Sequence, residues 1–174
     1  MLSIVMLIVD TVAVLLGGVL LLRFWMQAIR VRPPSSVAQF TFQLSDWLVR
    51  PMRRIVPGVG GYDWASLLGA FLIVLLSTSL LGFAGYPVQA ILLLALYTFL
   101  KWILFGFMFL LVIEAVFSWV NPHAPLAPFV RALNEPLLRP VRRVVPLVGN
   151  LDLSLLVALV LLQIAKLVLD MLFR

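Results

Sequence analysis

The sequence predicts an all-α membrane protein: four transmembrane helices arranged as two parallel repeats, each with a cytoplasmic interfacial amphipathic helix and an RPxRRhhP motif (h, apolar). Three observations predict it. The first is an internal repeat: residues 48–57 read LVRPMRRIVP and residues 137–146 read LLRPVRRVVP, an offset of 89. Ten of the sixteen positions from 48 to 63 match their counterparts, including Arg50 with Arg139, Arg53 with Arg142, Arg54 with Arg143, and Asp63 with Asp152. A duplicated unit fixes architecture before any other signal does. The second is hydropathy. The chain is 64% hydrophobic over 174 residues, with a mean hydropathy of +1.16, and the excess falls in long runs, as membrane spans require. The third is the placement of charge. Lys and Arg total 13 against 7 Asp and Glu, and most basic residues lie in two short connections.

The spans follow in order. Residues 3–29 form the first, with Asp10 and Arg23 as its charges. It has no basic segment before it and no small-residue cleavage pattern after it, so it reads as a retained helix and not a signal peptide. Residues 64–83 form an uncharged second span, and Gly85-Tyr86-Pro87 turns the chain. Residues 93–120 form the third, containing Lys101 and Glu114, and residues 153–173 the fourth, with Lys166 and Asp170 near its end. At 1.5 Å per residue each can cross about 30 Å of hydrocarbon. The repeats divide at 85/86, giving 1–85 and 86–174.

The first-to-second connection carries Arg30, Arg32, Arg50, Arg53 and Arg54; the third-to-fourth carries Arg131, Arg139, Arg142 and Arg143; the second-to-third carries no Lys or Arg. The positive-inside rule places both basic connections in the cytoplasm and both termini outside. Within the first connection Val37, Phe40, Leu44, Trp47 and Leu48 recur at helical spacing, which draws an apolar stripe. Two arrangements satisfy it: a helix lying in the membrane interface, apolar side down, or a helix packed on the bundle. Asp46 precedes Arg50 by four residues, as Glu135 precedes Arg139, the spacing of a helical ion pair. The prolines of the motif can open or end a helical turn. Asp63 and Asp152 stand just before spans, where they can cap the helix or pair with an Arg of the motif.

An offset of 91 places Asp10 on Lys101 and Arg23 on Glu114, so equivalent positions carry opposite charge. Parallel repeats are related by an axis along the membrane normal, which sets equivalent residues at equal depth. Arg23 is therefore expected to pair with Glu114, and Asp10 with Lys101. The alternative is that each snorkels to the nearer interface.

The tandem LLRPVRRVVP…GNLDLSLLVALVLLQ, preceded by FSWVNP at 117–122, resembles the YggT/YlmG family of bacterial and plastid membrane proteins. The resemblance spans essentially the whole chain. One departure is that Pro33-Pro34-Ser35 stands where a counterpart of Asn121-Pro122 is expected. The resemblance implies a bacterial cytoplasmic (inner) membrane location and a part in osmotic and envelope stress tolerance, and it supplies no catalytic residues.

Composition narrows the function further. Without Cys and with His123 as the only His, thiol catalysis, iron–sulfur binding and a His-rich metal site within one chain are excluded. The carboxylates are scattered at helix starts, beside Arg or within spans, which does not suit general acid–base chemistry. No catalytic, cofactor-binding or metal-binding residue is assigned, and no cofactor is expected. The leading expectation is a non-enzymatic scaffold or assembly factor. Its basic faces, Arg50, Arg53, Arg54, Arg139, Arg142 and Arg143, would bind anionic membrane lipids or a membrane or cytoplasmic protein partner. They would otherwise serve only to set topology. The alternative function is an oligomeric ion or solute pathway lined by Asp10, Arg23, Lys101 and Glu114; four crossings per chain leave little room for a pore, so a homo-oligomer would be needed. Nucleic-acid binding ranks last, because no stacking aromatics are interleaved with the Arg clusters.

Overall fold

The computed structural model describes residues 2–145 and 152–173. Its elements are all helices, in the order α1 Leu2–Ala28, α2 Ser35–Ile55, α3 Trp64–Ser79, a 3-10 turn Leu80–Ala84, α4 Val88–Val120, α5 Ala127–Arg142 and α6 Leu153–Leu172, joined by short turns and irregular connections. Four of these, over Ile4–Ala28, Trp64–Gly82, Val88–Val120 and Leu153–Leu172, are long and apolar enough to cross a membrane. Their outward faces carry exposed Leu15, Leu76, Phe109 and Leu161, surface that suits hydrocarbon. Three spans match their sequence-predicted limits closely. α4 starts five residues earlier than the apolar run suggested, because Pro87 presents its carbonyl to the Ile91 N–H at 3.2 Å and opens the helix there.

By contacts the chain forms two compact units, Met1–Arg30 with Ser35–Ile103, and Val31–Pro34 with Leu104–Arg174. In the first, α1, α2 and α3 pack around Ala13, Leu20, Val49, Ala65, Ala70 and Ile73. Gly69 faces α2: a Cβ there would be in ordinary contact, 3.4 Å from both Leu48 Cδ2 and Met52 Sδ. In the second unit Leu111, Leu138, Leu155 and Ala158 make the equivalent core between α4, α5 and α6.

α2 buries the line Thr41, Ser45 and Val49, and α5 buries Val130, Asn134 and Leu138 at the same three positions plus 89, together with Leu133. The small members of the α2 line allow close approach, as small residues do between membrane helices. Phe40 and Trp47 of the predicted apolar stripe face away from the first unit, at 59% and 61% exposed, whereas Leu48 packs against its core.

The motif does not end the helix it follows. Pro51 lies inside α2, and Pro136 and Pro140 lie inside α5. Pro51 and Pro140 sit at exposed positions, where water can take the bond that the missing N–H would have made. α2 continues to Ile55, and the chain then turns through Gly60 and Gly61 at φ 70° and 83°, left-handed values that glycine adopts freely. The counterpart turn, with Pro146 and Gly149, lies outside the described residues.

Candidate functional site

Each unit closes one end with a network of charged side chains. In the first unit its centre is Arg23, only 6% exposed although it sits in a spanning helix. Its Nη1 donates to Ser45 Oγ at 2.6 Å and to Asp46 Oδ1 at 2.7 Å, and its Nε lies 3.3 Å from Asp63 Oδ2. The guanidinium also lies 4.8 Å from the centroid of the Phe42 ring. Ser45 passes its own proton to the Thr41 carbonyl at 2.6 Å, which leaves its lone pairs for Arg23.

Asp63 is the junction. Arg53 grips it as a fork, Nη2 to Oδ2 at 2.6 Å and Nε to Oδ1 at 3.2 Å. The same carboxylate accepts the Ser66 hydroxyl at 2.7 Å and the Ser66 N–H at 3.4 Å, capping α3. Capping and Arg pairing, alternatives in the sequence, are therefore combined in one side chain. Burial works against its ionised form, yet the bonds from Arg53 and Ser66 outweigh it and hold the Asp63 carboxyl below the usual carboxylate range. The hydrogen bond from Arg23 does the same for Asp46.

In the second unit the centre is Arg142, the counterpart of Arg53. It reaches three carboxylates: Glu135 from Nη1 at 2.9 Å, Asp152 from Nε at 3.0 Å, and Glu114 from Nη2 at 3.3 Å. Asp152 caps α6 through the Ser154 N–H at 3.0 Å. Burial opposes its ionisation, and the bonds from Ser154 and Arg142 again hold its carboxyl low. Glu114 is 4% exposed, and Asn134, fully buried, donates from Nδ2 to it at 2.8 Å and to the Leu110 carbonyl at 2.9 Å. A cleft of about 410 Å³ is lined by Glu114, Ser118, Arg131, Arg142, Asp152 and Ser154, with Val145 and Leu155.

The inverted charges at 23 and 114 each have opposite partners inside their own unit. Arg23 bonds to Ser45 and Asp46 and lies beside Asp63, and Glu114 is met by Asn134 and Arg142. Lys101 places its ammonium 4.9 Å from the centroid of the Tyr97 ring. Asp10 lines a separate cleft of the first unit. Sequence reasoning missed Ser45 and Asn134. The signal lay in their equivalence at offset 89: a hydroxyl that accepts faces the cation, and an amide that donates faces the anion.

The six motif Arg divide into two kinds. Arg53 and Arg142 turn inward as described. Arg50 and Arg139 remain 78% and 68% exposed while making the predicted four-residue ion pairs to Asp46 at 2.9 Å and Glu135 at 3.5 Å. Arg54 and Arg143 are exposed, and their side chains make no hydrogen bond or ion pair among the described residues.

Residues 2–84 and 93–173 match the CCB3/YggT family, once for each repeat. Among curated proteins the chain is similar to an uncharacterized protein of Haemophilus influenzae, 35% identical over 88% of this chain and 85% of that one. It is also similar to the uncharacterized protein YggT of Escherichia coli K12, 32% identical over 90% and 84%. The uncharacterized protein PA0392 of Pseudomonas aeruginosa is 36% identical over 84% and 78%. No solved structure matches.

Proposed function

The chain belongs to the CCB3/YggT family, and we propose that it works as a non-enzymatic multi-pass membrane scaffold or assembly factor supporting osmotic and envelope stress tolerance. Its basic faces lie at the cytoplasmic side of the bacterial inner membrane, with both termini outside, as the charge of the connections favours. α2 and α5 act as interfacial amphipathic helices carrying the two copies of the motif, and they hold anionic lipid or a protein partner.

The observation that supports this reading is the division of the motif. One Arg per copy is tied to the carboxylate that caps the next span, and the other two point out. Arg50, Arg54, Arg139 and Arg143 form the outward faces, and Phe40, Trp47 and Ile55 of α2 are exposed in the same connection, a combination suited to a membrane surface. Each Arg near an anionic surface contributes about 1 kcal/mol, so four contribute about 4 kcal/mol. The exposed pairs of Arg50 and Arg139 subtract little, since such pairs are worth about 0–1 kcal/mol.

The test is in-membrane crosslinking and capture of the full chain from native membranes, with the four outward Arg intact or changed to Gln. Loss of specific partners or of bound anionic lipid at unchanged protein level is expected. Full retention, with an unchanged stress phenotype, would show that these Arg serve only topology.

A further inference from the structure

At the end of the first unit opposite Arg23, a cleft of about 310 Å³ opens between α1, the end of α3 and α4. Asp10 and Arg23 are 13 residues apart, so the cleft lies about 20 Å along α1 from the Arg23 network. Its lining brings together Asp10, Ser77, Thr78, Thr98 and Trp102. Val14 and Leu94 are among its apolar walls.

We propose that this cleft is a binding site for a small organic ammonium group, primary or methylated. Three observations carry it. First, the Asp10 carboxylate receives no hydrogen bond or ion pair among the described residues, although Asp10 lies within a spanning helix. A carboxylate at that depth calls for a cationic or proton-donating partner. Second, two hydroxyls of the lining present acceptors. The Ser77 and Thr78 hydroxyls give their protons to the Val74 carbonyl, each at 2.9 Å, so only oxygen lone pairs remain. Third, an indole borders the same space, and aromatic faces attract ammonium groups. That indole is fixed in place: a Cβ at Gly17 would lie 2.2 Å from Trp102 Cζ3, so Gly17 forms the seat in which the ring rests.

Size and wall chemistry separate an organic cation from an inorganic one. A water occupies about 30 Å³, so a bare alkali ion would leave most of the cleft unfilled. Such an ion also needs a shell of oxygen ligands, which the aliphatic part of the wall does not supply. An alkylammonium places its charge at Asp10 and its carbon against Val14, Leu94 and Trp102. The ammonium can come from a free amine or from the headgroup of a phosphatidylethanolamine.

The experiment uses the full chain in discs of phosphatidylglycerol alone, with tetramethylammonium and ethylammonium as probes and saturation-transfer NMR as the readout. Saturable binding is expected, weakened at least tenfold by Asp10→Asn, with potassium displacing the probe only at much higher concentration. Thr78→Val, isosteric and uncharged, removes one acceptor and is expected to weaken binding several-fold. It decides alone should Asp10→Asn fail to assemble. Absent saturable binding, unchanged affinity in the decisive variant, or potassium displacing the probe as readily as another ammonium does would overturn the proposal. Repeating the titration in phosphatidylethanolamine discs assigns the source. A weakened apparent affinity there supports a lipid headgroup as occupant, and an unchanged one supports a free amine.

Discussion

Replacing Asp63 tests whether one carboxylate couples the cap of α3 to the motif. Asp63 is 2% exposed and holds Arg53, Arg23 and Ser66 at once. Asp63→Asn keeps a side chain that can cap but removes the charge. Removing one partner of a buried ion pair costs about 3–5 kcal/mol. Two features lower that figure here. Arg53 is 45% exposed and can rehydrate, and Arg23 keeps Asp46 at 2.7 Å. A loss of about 2–3 kcal/mol follows for Asp63→Asn. Asp63→Ala also loses the cap, adding about 1 kcal/mol. At the counterpart, Asp152 is 21% and Arg142 30% exposed, so Asp152→Asn should cost less, about 1–2 kcal/mol. Equilibrium unfolding of the three variants in mixed micelles, followed by helicity, reads these differences. Asp63→Asn indistinguishable from the parent, or Asp152→Asn costing more than Asp63→Asn, would refute the reasoning.

Other outcomes follow from the same networks. Arg23→Glu and Glu114→Arg should each lower protein level, and the double exchange should not restore it, because each residue's partners lie in its own unit; full restoration would return the two to a common pair. Asp46, Asp63 and Asp152 have carboxyls held below their usual value of 3.8, so the folded state binds their protons less readily than the unfolded chain. Their stabilisation is complete above the unfolded pKa and is lost as pH falls through the lower folded values; acid titration of unfolding should show a steep loss below about pH 4 that Asp63→Asn flattens, and an unchanged acid limb would contradict this. Reporter fusions after Gly85 and at the end of the chain should read as external and a fusion near Gly60 as cytoplasmic, with a cytoplasmic signal at Gly85 reversing the assignment.

The spans were legible because long apolar runs leave few alternatives. The repeat was legible because Arg, Pro and Asp recur at one spacing. The packing of α2 was not. A search for large apolar residues selects Val37, Phe40, Leu44, Trp47 and Leu48, of which Leu48 packs on the core, yet the buried line of α2 is Thr41, Ser45 and Val49. In a membrane protein the large side chains can face lipid while the small ones mediate helix contact. Continuation of α2 through Pro51 was hidden for a related reason. A proline within a helix is tolerated best where the freed carbonyl can bond to water, and exposure is not written in the local sequence. The charge inversion at 23 and 114 was visible, but the partners within each unit were not: Ser45 and Asn134 are ordinary polar residues until the helices bring them to the charges.

Each motif holds one Arg for the fold and offers the others outward. Two double variants measured side by side test it most directly: Arg53→Gln with Arg142→Gln, and Arg54→Gln with Arg143→Gln. Each is assayed for unfolding in micelles and for anionic lipid retained in native mass spectra. The inward pair should lose stability, by about 1–3 kcal/mol at each site, while folded protein keeps its lipid. The outward pair should keep its stability and lose bound anionic lipid. Equal effects of the two variants on both measurements would contradict the division.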